Sequence, residues 1–163
     1  MKNALCVALL AGVAGTAMAQ APAVTGFTGG SLFGGYYTGT VSDVIGFRFT
    51  ADVDMFVTSL GVYSDSANDG VLNASHQVAI WRNSDQAMLA STTVDSSGTL
   101  FNDFYYDGIG AIQLNAGERY TIGATYNISD GDSYFSSPSS IALSGISATN
   151  GVFPSVVDLG LVY

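Results

Sequence analysis

Apolar and polar residues alternate with a period of two through most of this chain. In the stretch 44–50, Phe47 and Phe49 share one face and Arg48 lies opposite. From 54 to 64, Phe56, Thr58, Leu60 and Val62 fall on one face, and Val57, Ser59, Gly61 and Tyr63 on the other. Residues 76–82 set Val78 and Ile80 against Ala79 and Trp81. Asn83-Ser84-Asp85 then supplies a turn, because such side chains bond to nearby backbone, and 88–95 reads as the return strand. Residues 101–106 and 111–114 read as one long or broken strand, with a turn at 115–118. Residues 119–127 place Tyr120, Ile122, Ala124 and Tyr126 on a common face. A polar loop is expected over 129–140, and closing strands over 141–148 and 156–163. The Gly- and aromatic-rich stretch 26–40 reads either as a bulged edge strand or as an ordered loop.

Short period-two runs separated by turn residues indicate an antiparallel all-β domain. No helical period occurs beyond the N-terminal segment. A single open sheet would leave half of these apolar faces wet, so two packed sheets, a β-sandwich, are expected.

The N-terminus breaks the pattern. Lys2 is followed by an apolar run from Ala4 to Ala14, then by Ala17-Met18-Ala19. A positive start, an apolar middle and small residues at the two positions that a signal peptidase reads make up a secretory leader. Cleavage after Ala19 would leave Gln20 first. The run is too short for a bilayer, which needs about 20 apolar residues, so no stable membrane insertion is expected. Residues 1–19 are therefore read as a cleavable signal peptide. Residues 20–163 are read as one domain, best defined over 41–128. The expected destination is outside the cell, at its surface or in the periplasm.

Composition narrows the chemistry. The one cysteine, Cys6, leaves with the leader, so the mature domain has no disulfide and no thiol nucleophile. Lys2 leaves too. Arg48, Arg82 and Arg119 then face thirteen acids, of which Glu118 is the only glutamate. Nucleic-acid binding rests on Lys and Arg neutralising phosphates, so it is excluded as a function. The balance suits cations, neutral glycans or plain solubility.

Three stretches, VIGFRFTADVDMFVTSLGVYSD, SHQVAIWRNSDQAMLASTTV and AIQLNAGERYTIGATY, resemble in this order a family of exported bacterial β-sandwich domains of unknown function. Many members carry a C-terminal Pro-Glu-Pro sorting tail (the PEP-CTERM system), which this sequence does not show. The resemblance spans roughly Thr25 to Phe135. It implies a jelly-roll-like or immunoglobulin-like sandwich, a surface or matrix location and an association with exopolysaccharide. It implies no catalytic residues.

Candidate sites follow from residue type. Asp65, Asn68 and Asp69 place oxygen ligands ahead of Gly70, as at the start of a calcium loop. Asp130 and Asp132 in Ser-Asp-Gly-Asp-Ser are the further candidate ligands. The competing reading is two solvated turns. Trp81, Tyr63, Tyr105 and Tyr106 are the candidates for stacking on sugar rings, and Tyr36, Tyr37 and Tyr134 stand behind them. Tyr105 and Tyr106 are consecutive, so one of them should face solvent if that stretch is a strand. The sole histidine, His76, has no nucleophile elbow with it, and is read as a hydrogen-bonded residue at a strand end. The reading that results is a non-catalytic, secreted or surface module that binds extracellular polysaccharide, with calcium as its one candidate cofactor. The alternatives are a secreted hydrolase acting on polysaccharide and a small outer-membrane barrel. The barrel is suggested by the alternation of Val157, Leu159, Leu161 and Tyr163.

Overall fold

A computed structural model describes residues 4–5, 7–13, 21–28, 31–33, 43–64, 69–127, 131–136 and 140–152. Fifteen strands occur among them: β1 (Ala4–Leu5), β2 (Val7–Val13), β3 (Ala21–Pro22), β4 (Val24–Thr28), β5 (Ser31–Phe33), β6 (Asp43–Ala51), β7 (Met55–Tyr63), β8 (His76–Arg82), β9 (Met88–Val94), β10 (Thr99–Phe101), β11 (Phe104–Leu114), β12 (Arg119–Tyr126), β13 (Tyr134–Ser136), β14 (Ser140–Leu143) and β15 (Ile146–Val152). All pairings are antiparallel.

Two five-stranded sheets dominate, one ordered β10-β11-β7-β2-β3 and the other β15-β6-β12-β8-β9. From β6 onward the chain passes repeatedly between them, with hairpins at β8–β9 and β10–β11. Alternate residues of both sheets meet in one apolar cluster. Ile45, Phe47, Phe49, Val78, Ile80, Ile122 and Ala124 come from one sheet, and Val57, Leu60, Val62 and Leu114 from the other. The fold is thus an antiparallel sandwich, as the alternation requires. Both sheets end in edge strands and neither closes on itself, so the described strands do not form the cylinder of an outer-membrane barrel.

The expected strands at 44–50, 54–64, 76–82, 88–95 and 119–127 are all present, within a residue of their expected ends. The differences are local. The expected strand 101–106 is interrupted by a hairpin corner at Asn102–Asp103, between Phe101 at the end of β10 and Phe104 at the start of β11. Asn102 and Asp103 both take left-handed backbone (φ 47° and 64°), the geometry of the tight turn that matches strand twist. The chain then runs unbroken through β11, which absorbs a bulge between Gly108 and Ile112. A second irregularity, where Leu10 pairs with Ser59 but Ala11 with Val57, shifts the inward face of β7. Met55 and Val57 are buried before it and Leu60 and Val62 after it, so strict alternation along 54–64 fails at Thr58–Ser59. The expected polar loop contains β13. The expected strand at 141–148 is two strands, broken where Gly145 adopts φ 73°. The expected strand 156–163 and the leader boundary at Ala17 and Ala19 lie outside the described residues. The leader's apolar run does not stand apart: its residues Val7–Val13 pair with β7 from Val62 to Met55.

The outer face of the β6–β12–β8 sheet is built around a close backbone approach. Gly46 and Gly123 are paired directly across β6 and β12. A Cβ on Gly46 would lie 1.9 Å from the Ile122 carbonyl oxygen, and one on Gly123 would lie 2.6 Å from Val44 Cγ1. Val44, Ala79 and Trp81 form a small second apolar cluster over this spot. Gly46→Ala is therefore expected to destabilise the fold by about 3 kcal/mol, because backbone cannot yield as a side chain does. Gly110→Ala, where a Cβ meets nothing within 4 Å, is expected to change stability by less than about 0.5 kcal/mol. Urea denaturation of the two variants checks this.

Candidate functional site

The deepest polar feature is a tie between His76, the first residue of β8, and Asp132 in the Gly131–Ser133 segment. Both side chains are sealed from solvent. Imidazole Nε2 lies 2.9 Å from Asp132 Oδ2, and Nδ1 lies 2.7 Å from the Thr125 carbonyl oxygen. The Tyr126 ring packs beside the imidazole at a centroid distance of 4.4 Å. Nδ1 faces a carbonyl oxygen and donates to it, and Nε2 faces the Asp132 carboxyl. The carboxyl also accepts the Asn73 backbone N–H at 2.7 Å, the Asn73 side-chain amide at 3.1 Å and the Ala74 N–H at 3.0 Å. Burial opposes ionisation of Asp132. The hydrogen bonds from His76, Asn73 and Ala74 and the electrostatic influence of His76 outweigh it and hold the carboxyl below its ordinary value.

This arrangement is structural in kind. It pins the segment after β7 and the segment after β12 to the same end of β8. His76 has no ring nitrogen turned towards solvent, so it is not placed to take a proton from a substrate. Asp132, expected as a calcium ligand, is already surrounded by four donors from the protein. Asp69 is exposed and accepts the Val71 N–H at 3.1 Å, closing its own turn. The other expected ligands, Asp65, Asn68 and Asp130, lie outside the described residues. Among the described residues no three His, Cys, Asp or Glu side chains gather as a metal site would need.

The four leading candidates for sugar stacking are buried, and Tyr134 is half-buried, edge-on to Tyr126 at 5.8 Å. Trp81 covers the Gly46–Gly123 approach, with its ring 3.7 Å from where a Gly123 Cβ would stand. Tyr63 packs edge-on against Phe104 at 5.9 Å. Tyr105 and Tyr106 do point to opposite faces of β11, but both faces are covered there. The Tyr105 hydroxyl donates to the Gly70 carbonyl at 3.1 Å. The Tyr106 ring lies across Gly61, within 2.7 Å of where a Cβ would be. Its hydroxyl finds no hydrogen-bond partner among the described residues, and burial pushes its pKa up. Tyr36 and Tyr37 lie outside the described residues.

What sequence reasoning missed is a cleft beside the β11 bulge. It encloses about 370 Å³ and is lined by Ser59, Ser97, Thr99, Phe101, Tyr106 and Asp107, with Gly98 and Gly108. The β10–β11 hairpin carries Phe101 to its rim, where the ring is 49% exposed. The turn into β10 is held rigidly: Asp95 accepts both the Ser97 N–H at 2.8 Å and the Ser97 hydroxyl at 2.6 Å. These bonds also lower the Asp95 pKa. The Asp107 carboxylate stands against Gly98, 3.3 Å from where a Cβ would be, so a side chain at 98 would crowd it. Phe101, Asp107 and the hydroxyl-bearing Ser59, Ser97 and Thr99 thus line a common space, with buried Tyr106 in its wall. A sequence signal existed in Gly108-Ile109-Gly110, since glycines inside a strand mark bulges.

The His76–Asp132 tie makes the fold sensitive to acid. A carboxyl whose pKa is lowered in the native state contributes stability that is present above about pH 4 and is lost as pH falls through the lower native value. Urea midpoints measured from pH 6 down to pH 2 are expected to drop more steeply for the wild type than for Asp132→Asn. His76→Ala at pH 6 is expected to cost about 3–5 kcal/mol, because it strands a buried carboxylate.

Comparison with known protein families, curated proteins and solved structures finds no match to the chain.

Proposed function

We propose that this chain is a non-catalytic carbohydrate-binding module of an exported, extracellular or surface-attached protein, and that the cleft beside the β11 bulge is its binding site. The observation that carries the reading is the exposed Phe101 at a cleft that Ser59, Ser97, Thr99, Tyr106 and Asp107 also line. A flat ring stacks on the apolar face of a pyranose. Asp107 accepts hydrogen bonds from sugar hydroxyls, or pairs with a sugar ammonium; Ser59 and Thr99 both donate and accept, and Ser97, whose proton goes to Asp95, accepts. β-Bulges re-aim side chains in this way next to binding sites.

The same features favour binding over hydrolysis. Glycoside cleavage uses two carboxyl groups facing each other across the bond, and the described lining residues include one, Asp107. The sole histidine is locked into its tie with Asp132. A formal net charge of −9 disfavours acidic polymers and leaves neutral glycans and amino-sugar polymers as the partners. The resemblance to exported β-sandwich domains and the leader-like N-terminus support a place in the extracellular matrix.

Calorimetric titration with neutral and amino-sugar oligosaccharides tests the reading. Phe101→Ala is expected to weaken binding at least tenfold, the equivalent of about 1.4 kcal/mol. Asp107→Asn is expected to weaken amino-sugar binding more than neutral-sugar binding. The melting temperatures of both variants should stay near that of the wild type. Wild-type protein that binds no oligosaccharide, or binding untouched by both substitutions, overturns the proposal.

A further inference from the structure

Most described carboxylates are bonded within the protein. Asp54 accepts the Ala116 N–H at 2.8 Å, Asp85 holds Arg82 and Asp95 holds Ser97. Asp107 differs from them. It is half-buried in the wall of the cleft, and among the described residues its side chain makes no hydrogen bond or ion pair. A carboxylate partly withdrawn from water gains from any donor that a ligand brings. Ser97 is a second acceptor at the same cleft. Its hydroxyl lies 2.6 Å from Asp95 Oδ1 and its N–H 2.8 Å from the same atom. These bonds hold the Asp95 carboxyl below its ordinary pKa, so it is ionised and has no proton to share. The proton of the short bond is therefore that of Ser97, and Ser97 Oγ meets a ligand with lone pairs alone. Donation to an anion also strengthens that oxygen as an acceptor. The two acceptors come together at Gly98. Asp107 Oδ2 lies 3.3 Å from where a Gly98 Cβ would be, and Gly98 directly follows Ser97.

This corner is rich in lone pairs and negative charge and poor in protons. No described lining residue is basic. A sugar hydroxyl brings one proton, and so does an acetamido N–H. Two neighbouring hydroxyls bring two protons but leave Asp107 and Asp95 without a counter-charge. A protonated amine brings three protons and the charge as well. We propose that the cleft selects sugars that carry a free, protonated amine, with Asp107 and Ser97 Oγ as the acceptors of that amine and Asp95 as the positioning residue that keeps Ser97 in its accepting role. The proposal rests on the reading of the cleft as a carbohydrate site and narrows its ligand to cationic amino sugars. Phe101 supplies stacking that any pyranose can use, so affinity in general and selectivity for the amine come from different residues.

The experiment is calorimetric titration of the full chain with glucosamine, N-acetylglucosamine and glucose oligomers of equal length and linkage, and with a lysine oligopeptide. At about pH 6 the glucosamine oligomer is expected to bind about tenfold more tightly than the other two sugars, as one charge-assisted contact gives. At about pH 9, above the range in which an amine of this kind titrates, that preference should vanish. Asp107→Asn should abolish the preference at the lower pH. Ser97→Ala, which leaves the backbone bond to Asp95 in place, should reduce it, and Asp95→Asn should reduce it in the same way by freeing the Ser97 proton. Phe101→Ala should weaken all three sugars and leave their ratio standing. Equal binding of the three sugars by the wild type, a preference that persists at about pH 9, or one that survives both Asp107→Asn and Ser97→Ala overturns the proposal. A lysine oligopeptide that binds as tightly as the glucosamine oligomer also overturns it, because charge alone would then suffice. Absence of binding to every sugar, or binding indifferent to Phe101→Ala, is instead the failure of the carbohydrate reading, and takes the proposal with it.

Discussion

Two open sheets here bury one apolar layer, held by packing and by one buried polar tie between His76 and Asp132. A single cysteine leaves no disulfide within the chain. Phe47, Phe49, Ile80 and Ile122 on one sheet must meet Val57, Leu60 and Val62 on the other, and each such side chain contributes about 1.5–3 kcal/mol when buried. The remaining structure follows from keeping that layer dry. Bulges in β7 and β11 turn side chains back towards it where strict alternation would expose them. Glycines at 46 and 123 let β6 and β12 come together, and Trp81 with Val44 seals the outside of that junction.

Polar groups are used in two opposite ways. At one end of β8 the His76–Asp132 pair is fully sealed and fully bonded, so it fixes chain segments distant in sequence and offers nothing to a ligand. Beside the β11 bulge, Asp107, Ser59 and Thr99 line a shallow space with exposed Phe101 at its rim. The difference is one of access rather than residue type. A carboxylate with four protein donors around it is a structural element, while a half-buried one at a cleft wall still has lone pairs to give.

This contrast also explains which candidate residues the chain itself revealed. Aromatic type alone pointed to Trp81, Tyr63, Tyr105 and Tyr106, and all four are covered. Phe101 is a strand residue as expected, but at the end of β10 rather than inside one long strand, because the chain turns at Asn102-Asp103. Two successive left-handed residues make that turn, and the hairpin puts the ring at the cleft. His76 and Asp132 drew notice separately, as a lone histidine and as a candidate ligand. Nothing in a separation of 56 residues announces that they touch.

Alternation and turn residues determined the class, the single apolar layer and most strand positions, because these depend on local periodicity and on composition. Only the tertiary structure decided which faces are covered from outside, where bulges reverse the inward side, that His76 and Asp132 form one buried pair, and that Phe101 and Asp107 share a cleft. Those outcomes depend on contacts between segments far apart in the chain. A period of two says that a side chain leaves one face of its own strand, but it carries no information about what another segment has laid over that face.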